Sequence, residues 1–242
     1  MRFKITLKSE KPNFLLNFNY NHTISSILYN KIIDLDLSRE LHETNSFKFF
    51  TFSQINIPKI KVTKKGLISK DGLLNFFVSS PNDYLIKNMI QGYVDEPYVN
   101  FHNNILNVEK IELLENKNFT EKEEFKTISP ILVRTKRKID GELKSWDLEP
   151  CDEFFNNLRY NLIKKYLEFN QIQKTEKNIK IYSKMRNVKS RRIKIKSGKE
   201  TTFHRAYLMD LVLEGDLKLI EFAYDVGLGN KGSMGFGMIE IL

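Results

Sequence analysis

Five of the eleven glycines in this 242-residue chain fall within GLGNKGSMGFG, residues 227–237, and Gly227, Gly229 and Gly232 reproduce the G-x-G-x-x-G spacing of a dinucleotide-binding turn. That chemistry needs a strand before the turn, a long helix after it, and an acidic residue about twenty positions on to hold the ribose. After Gly232 the sequence reads SMGFGMIEIL, a short turn and a strand. No dinucleotide is therefore expected, and the loop is left with main-chain N–H groups suited to some other anion.

A second feature narrows the anion. Lys174 to Lys199 contains eleven Lys or Arg residues and one acid, Glu176, whereas the remaining chain holds 28 basic and 29 acidic residues. The net charge of +9 thus sits in one segment. Charge so localised answers a polyanion, most often nucleic acid. In IKIYSKMR, Ile179, Ile181 and Met185 alternate with Lys180, Tyr182, Lys184 and Arg186, and in RIKIK, Ile193 and Ile195 alternate with Arg192, Lys194 and Lys196. Period two predicts two strands with one basic face. Joined by Asn187 to Arg191, they are expected to form one hairpin that presents Lys180, Lys184, Arg186, Lys189, Arg191, Arg192, Lys194 and Lys196 to a phosphate backbone.

Other chemistries find little support. The single Cys151 cannot form an internal disulfide, and His22, His42, His102 and His204 stand in no C-x-x-C or H-x-x-x-H cluster, so neither a metal nor any other cofactor is expected. The start, MRFKITLKSE, has no apolar core of a leader, and no stretch approaches the roughly eighteen apolar residues of a membrane span. A cytoplasmic protein without a membrane partner is expected.

The elements that must position these residues repeat one plan twice. RFKITLK reads as a strand, and a helix is predicted over about Thr23–Leu37. FKFFTFSQI, KIKVTK and LLNFFVS read as strands, a second helix opens at Pro81 with Ser80 as its cap, and ILNVEKIELLE closes the half. The polar stretch 115–123 reads as a linker. In the second half FKTISPILVRT is a strand interrupted by Pro130, and a helix follows Pro150 with Phe154, Phe155, Leu158, Leu162, Ile163 and Tyr166 at helical spacing. The basic hairpin, the strand AYLMDLVLEG, the helix DLKLIEFAYDVG, the glycine loop and GMIEIL complete it. The expectation is an α+β chain of two tandem ferredoxin-like (βαββαβ, RRM-like) domains, 1–120 and 121–242.

The block YDVGLGNKGSMGFGMIEI, with SPILVRT at 129–135, resembles the glycine-rich signature of the RAMP superfamily of CRISPR systems. YNH at 20–22, ILYN at 27–30, LHE at 41–43 and KFFTFS at 48–53 are similar in order and spacing to the CRISPR-associated endoribonuclease that cuts precursor transcripts within each repeat. The resemblance spans almost the whole chain and implies metal-independent cleavage, the substrate's own 2′-hydroxyl attacking the adjacent phosphorus to leave a 2′,3′-cyclic phosphate and a 5′-hydroxyl. It implies His42 as general base, because an imidazole of ordinary pKa near 6.5 accepts protons at neutral pH. It implies Lys48 as the cation on the phosphorane and Tyr29 as the group that positions the phosphate or protonates the leaving oxygen. It also brings the glycine loop, with Gly229, Asn230, Lys231, Gly232 and Ser233, to the RNA path between the domains.

His22 is the rival base, read instead as ordering the entry to the first helix; His102 reads as a loop residue and His204 as a strand residue. A non-cutting RNA-binding RAMP subunit of a CRISPR effector complex is the alternative function, separated by whether His42, Tyr29 and Lys48 work as a set. Repeat RNA is the implied partner. Contact with effector-complex subunits and pairing into a homodimer stay open on the sequence. A general RRM-like chaperone would show an RNP1-type aromatic run, and the sequence has none.

Overall fold

Phe3, Ile5 and Leu7 alternate along RFKITLKS, and all three are fully buried where β1 (Arg2–Ser9) runs through the middle of a sheet. The computed structural model describes residues 1–43, 47–101, 104–139, 141–184, 187–197 and 200–242, with the backbone alone for His42, Glu43, Ile139, Lys196, Ser197 and Glu200. After β1 come β2 (Phe14–Leu16), α1 (Asn21–Asn30), α2 (Leu35–Glu43), β3 (Thr51–Phe52), β4 (Ile60–Thr63), β5 (Gly66–Ser69), β6 (Leu73–Ser79), α3 (Asp83–Asp95), β7 (Tyr98–Phe101) and β8 (Asn104–Leu113). The second half contains β9 (Lys122–Thr127), β10 (Arg134–Ile139), β11 (Glu142–Asp147), α4 (Asp152–Phe169), β12 (Ile179–Tyr182), β13 (Lys189–Ser197), β14 (Glu200–Leu208), β15 (Asp210–Gly215), α5 (Leu217–Val226), a 3₁₀ turn at Gly232–Met234, and β16 (Ile239–Ile241).

The first sheet is ordered β3-β6-β1-β8-β7 and the second β12-β15-β9-β16, all pairs antiparallel. In each half the four main strands stand in the order 2-3-1-4, with a helix after the first and another after the third. That is the ferredoxin-like plan twice over. Each sheet is covered by its own apolar cluster: Phe3, Ile24, Phe76 and Ile86 belong to one, Phe125, Phe154, Leu213 and Ile220 to the other. The hairpins β10–β11 and β13–β14 and the small sheet β2-β5-β4 are additions to this plan. Among the described residues, no helix is long and apolar enough to cross a membrane.

Several sequence expectations need correction. Among the described residues, IKIYSKMR and RIKIK do not pair with one another. Ile179 and Ile181 are buried, which draws β12 onto the core and against β15, whereas β13 pairs with β14 from Lys189↔Leu208 to Ser197↔Glu200. The predicted helix over 23–37 is two helices, because the Asp34 carboxylate accepts the N–H groups of Asp36 and Leu37 and starts α2 anew. FKFFTFSQI yields only β3, since Phe49 stands at φ 45° and breaks the ladder before it. Asn82, not Ser80, caps α3 by accepting the Leu85 N–H; the Ser80 hydroxyl donates instead to the Phe49 carbonyl, at 2.6 Å. AYLMDLVLEG is divided at Met209 between β14 and β15, and β9 begins inside the stretch read as linker.

The glycine loop joins the halves. A β-carbon on Gly237, at φ +79°, would lie 1.8 Å from the Leu228 carbonyl oxygen, one on Gly232 would lie 2.7 Å from the Phe50 oxygen, and one on Gly229 2.4 Å from the Leu132 oxygen. The loop is thereby seated against both halves. Thr51 donates to the Phe236 carbonyl at 2.8 Å, and Asn21 Nδ2 donates to the Met234 carbonyl at 2.8 Å. Gly141 is the internal control, with φ +83° and open space around its missing β-carbon. In urea unfolding, Gly141→Ala is expected to cost about 1–2 kcal/mol, the left-handed backbone strain alone. Gly237→Ala, which must also move backbone, is expected to cost at least about 3 kcal/mol. Equal losses would show that the close approach does not matter.

Candidate active site

Between the halves lies a cleft of about 570 Å³, walled on one side by Phe47 to Phe50 and on the other by Gly229 to Met234, with Arg134, Lys136, Ser145 and Lys165 completing it. Its described lining carries five basic side chains, Lys48, Arg134, Lys136, Lys165 and Lys231, and no carboxylate. Such a lining attracts a polyanion and is the reverse of the oxygen-rich shell that a magnesium ion requires.

Tyr29, near the C-terminal end of α1, packs edge-on against Phe50 with ring centroids 5.5 Å apart. Burial raises its hydroxyl above the ordinary tyrosine value, opposed by a hydrogen bond with the Ser233 side chain. At neutral pH it is therefore a proton donor at the rim of the glycine loop. Lys48 is half-buried in the cleft wall, and its ammonium is pulled below the usual lysine range by burial, with Glu40 of α2 opposing. The kink at Phe49 that ends the ladder is held by the ring of Phe169, 5.2 Å away, and by Ser80 on its carbonyl.

His42 lies in the last turn of α2, and its side chain is outside the described residues. The helix ends at Glu43, four residues before Phe47 of the cleft wall, so the chain holds that terminus within roughly 14 Å of the cleft. His22 is exposed and lines a separate depression with Thr23, Ser26 and Asn30. His102 lies outside the described residues. His204 is a strand residue, as expected, but buried at 2 % exposure with Nδ1 3.3 Å from Asp147 Oδ2. Burial works to raise the Asp147 carboxyl, yet His204, the Arg205 N–H and Arg134 hold it below the ordinary value. This carboxylate ties β10, β11 and β14 into one unit.

The basic segment divides. On β12 and just after it, Tyr182 donates to Glu214 at 3.1 Å, Lys180 faces the same carboxylate and Lys184 pairs with Glu124, so carboxylates of the core sheet balance this stretch. On β13, Lys189, Arg191, Arg192 and Lys194 have no carboxylate partner among the described residues. Arg186 lies outside the described residues, as does the side chain of Lys196. The loop's main chain is also less available than expected. The N–H groups of Leu228, Asn230, Met234, Gly235 and Gly237 are all taken by carbonyls, and Asn230 Oδ1 accepts the Arg134 N–H at 2.9 Å.

Sequence reasoning missed Lys165. It occupies the apolar stripe of α4 between Leu162 and Phe169, a cation where the spacing demands a core residue, and that was its signal. It is buried at 5 % exposure, donates to the Gly227 carbonyl at 3.0 Å, and is brought down to about 7 by burial. Arg134, Lys136 and Ser145 escaped notice because their hairpin is an insertion without a motif of its own.

Similarity to known proteins extends over the whole chain. Residues 15–112 match the family model described as CRISPR-associated protein Cas6, N-terminal, and residues 114–241 match CRISPR associated protein Cas6, C-terminal. The chain is 34 % identical to the CRISPR-associated endoribonuclease Cas6 1 of Methanocaldococcus jannaschii over 98 % of this chain and 91 % of the relative. A solved structure named CRISPR associated protein Cas6 superposes at TM-score 0.84 with 32 % identity, covering 100 % of this chain and 99 % of that one. Another, named An RAMP protein binding different RNA substrates, gives 0.88 with 28 % identity over 100 % and 99 %.

The buried lysine has a measurable consequence. Folded Lys165 titrates near 7, against 10.5 for the ordinary side chain, so within that window the unfolded chain holds a proton that the fold lacks. Stability from this group therefore rises with pH between the two values, and below about 7 the fold bears the full cost of the buried charge. The unfolding free energy of the wild type relative to Lys165→Met is expected to climb across this window, by up to about 1.4 kcal/mol per pH unit, and to be flat below it. Urea unfolding at a series of pH values reads it directly.

Proposed function

The chain belongs to the Cas6 family of CRISPR-associated proteins, and on that premise we propose that it is an endoribonuclease that cuts precursor CRISPR RNA within its repeats, without a metal ion. The observation that carries the reading is the basic cleft between the two halves, whose described lining holds no carboxylate, with Lys48 in its wall and Ser233, the hydrogen-bond partner of Tyr29, in the loop that faces it. A phosphodiester seated there meets fixed positive charge before any bond changes, and charge developing on phosphorus meets the same cations.

The nucleophile is the 2′-hydroxyl of the nucleotide just upstream of the cut. His42, at the end of α2, takes its proton, and the oxygen attacks phosphorus in line. Lys48 stabilises the added negative charge on the phosphorane. Tyr29, kept protonated by burial, holds a phosphate oxygen or donates to the departing 5′-oxygen. The products are a 2′,3′-cyclic phosphate and a 5′-hydroxyl. The β13 cations, which have no carboxylate partner among the described residues, and the loop residues Lys231 and Ser233 grip the RNA on either side.

The second reading is a non-cutting RNA-binding subunit with the same fold, favoured by the RAMP neighbour named for binding different RNA substrates. One experiment separates the readings. The repeat RNA encoded beside the gene is incubated with the protein in excess EDTA, in all-ribose form and with a single 2′-deoxy nucleotide before the cut. The all-ribose RNA is expected to be cut and the deoxy RNA to be bound but left whole. His42→Ala is expected to slow cutting about a hundredfold or more with little change in affinity, Lys48→Ala by less and Tyr29→Phe by least. Cutting of the deoxy RNA would reject the mechanism, and binding without cutting of either RNA would favour the second reading.

A further inference from the structure

A second cleft, of about 870 Å³, lies between the β10–β11 and β13–β14 hairpins. Its walls carry two large aromatic rings that no core uses: Trp146 of β11, 46 % exposed, and Phe203 of β14, 50 % exposed. Each ring has an arginine over or beside it. Arg192 Cζ stands 4.3 Å from the Phe203 centroid, and Arg137 Cζ stands 5.7 Å from that of Trp146. Burial among neighbours therefore does not explain these rings. The pairing of Phe203 with Lys194 across the strands, beside Arg192 and Arg205, sets an apolar face within a cationic one.

The occupant follows from continuity and charge. This cleft shares Arg134 and Ser145 with the cleft between the halves, so a chain lying in one leads into the other. Asp147 fixes the walls relative to each other by holding Arg134, His204 and the Arg205 N–H together. Arg205 and Arg137 pair with the exposed carboxylates of Glu149 and Glu153, contacts weak enough in water to exchange for a phosphate. Aromatic faces with arginine between them recognise bases that are not stacked in a helix, because a duplex buries the base faces that the rings require.

We propose that this cleft is a stacking subsite for unpaired nucleotides that continue the RNA strand out of the catalytic cleft, Trp146 and Phe203 each taking the face of a base and Arg192 meeting the phosphate between them. The proposal rests on the RNA reading above and adds to it where single-stranded RNA is recognised.

Trp146 is the chain's one tryptophan, so its emission reports this cleft alone. The probe is an unstructured repeat RNA made uncuttable by a 2′-deoxy nucleotide at the cleavage position, with the same RNA annealed to its complement as the duplex arm. Single-stranded RNA is expected to quench Trp146 emission on binding, and the duplex to leave it unchanged. Trp146→Ala and Phe203→Ala are each expected to raise Kd about tenfold or more, and Trp146→Phe and Phe203→Tyr, which keep a ring, to restore most of the loss. Circular dichroism checks that each variant is folded, and the ring-preserving pair with the wild-type quench decides the matter if the alanine variants are not. Saturating binding with unmoved emission would overturn the proposal, as would alanine variants that bind within about twofold of wild type; a face reserved for a protein partner would give that pattern. A protein that cuts RNA with no change in emission refutes the subsite alone, whereas quenching without any cutting refutes the nuclease and keeps the subsite.

Discussion

The carbonyl oxygen of Leu228 occupies the place where a side chain at residue 237 would begin, and the meeting of the two halves depends on that exclusion. Because no β-carbon intervenes, the Leu228 N–H reaches the Gly237 carbonyl at 2.8 Å and the loop closes into a narrow tongue. One side of the tongue lies on Thr51 and Asn21 of the first half; the other hydrogen-bonds Pro130 and Leu132 of the second. Phe236, at its root, is fully buried with Leu132, Ile195 and Ala206, and so supports the β13–β14 hairpin as well. The cleft wall, the partner of Tyr29 and the base of a hairpin all derive from one stretch of backbone that cannot carry side chains at its glycines.

The plan of the fold was legible in the sequence because alternation and helical stripes report burial, and burial here is regular. Phe3, Ile5 and Leu7 announced β1, and Leu85, Ile86 and Met89 announced α3. What periodicity could not convey was pairing. IKIY and RIKIK look alike along the chain, yet the strand order 2-3-1-4 places β12 beside β15 and leaves β13 to find β14, a choice made by neighbours distant in sequence. The candidate site was legible in part for a similar reason. Tyr29 and Lys48 stand in short runs whose resemblance to a known family located them, whereas Lys165 is a single residue whose environment is built by Gly227, 62 positions away.

Charge also acquires a different meaning once the chain is folded. The segment 174–199 reads as one basic block, but the β12 portion lies against Glu214 and Glu124 of its own sheet and the β13 portion does not. Meanwhile the cleft gathers basic side chains from four separated places: Lys48, the pair Arg134 and Lys136, Lys165, and Lys231. They differ in degree of burial, from the half-exposed Lys48 to the enclosed Lys165. A field assembled in this way is invisible to any window slid along the sequence.

Arg2 binds the beginning of the first half to the last strand of the second. Its guanidinium is 3 % exposed, donates to the carbonyls of Tyr224 and Ile239 and to Glu240, and lies 3.5 Å from the Tyr224 ring. As the ribosome delivers the chain, the first four-stranded ferredoxin-like sheet has all its strands once Leu113 has emerged, but the groups that enclose Arg2 follow only at Tyr224, Ile239 and Glu240. Until then a permanently charged side chain on β1 stays in water, and the second sheet lacks β16 on the free edge of β9. The contacts through which Arg2 joins the halves are thereby deferred until Glu240 has emerged, and a nascent chain stalled before residue 239 presents one finished sheet with an uncovered arginine.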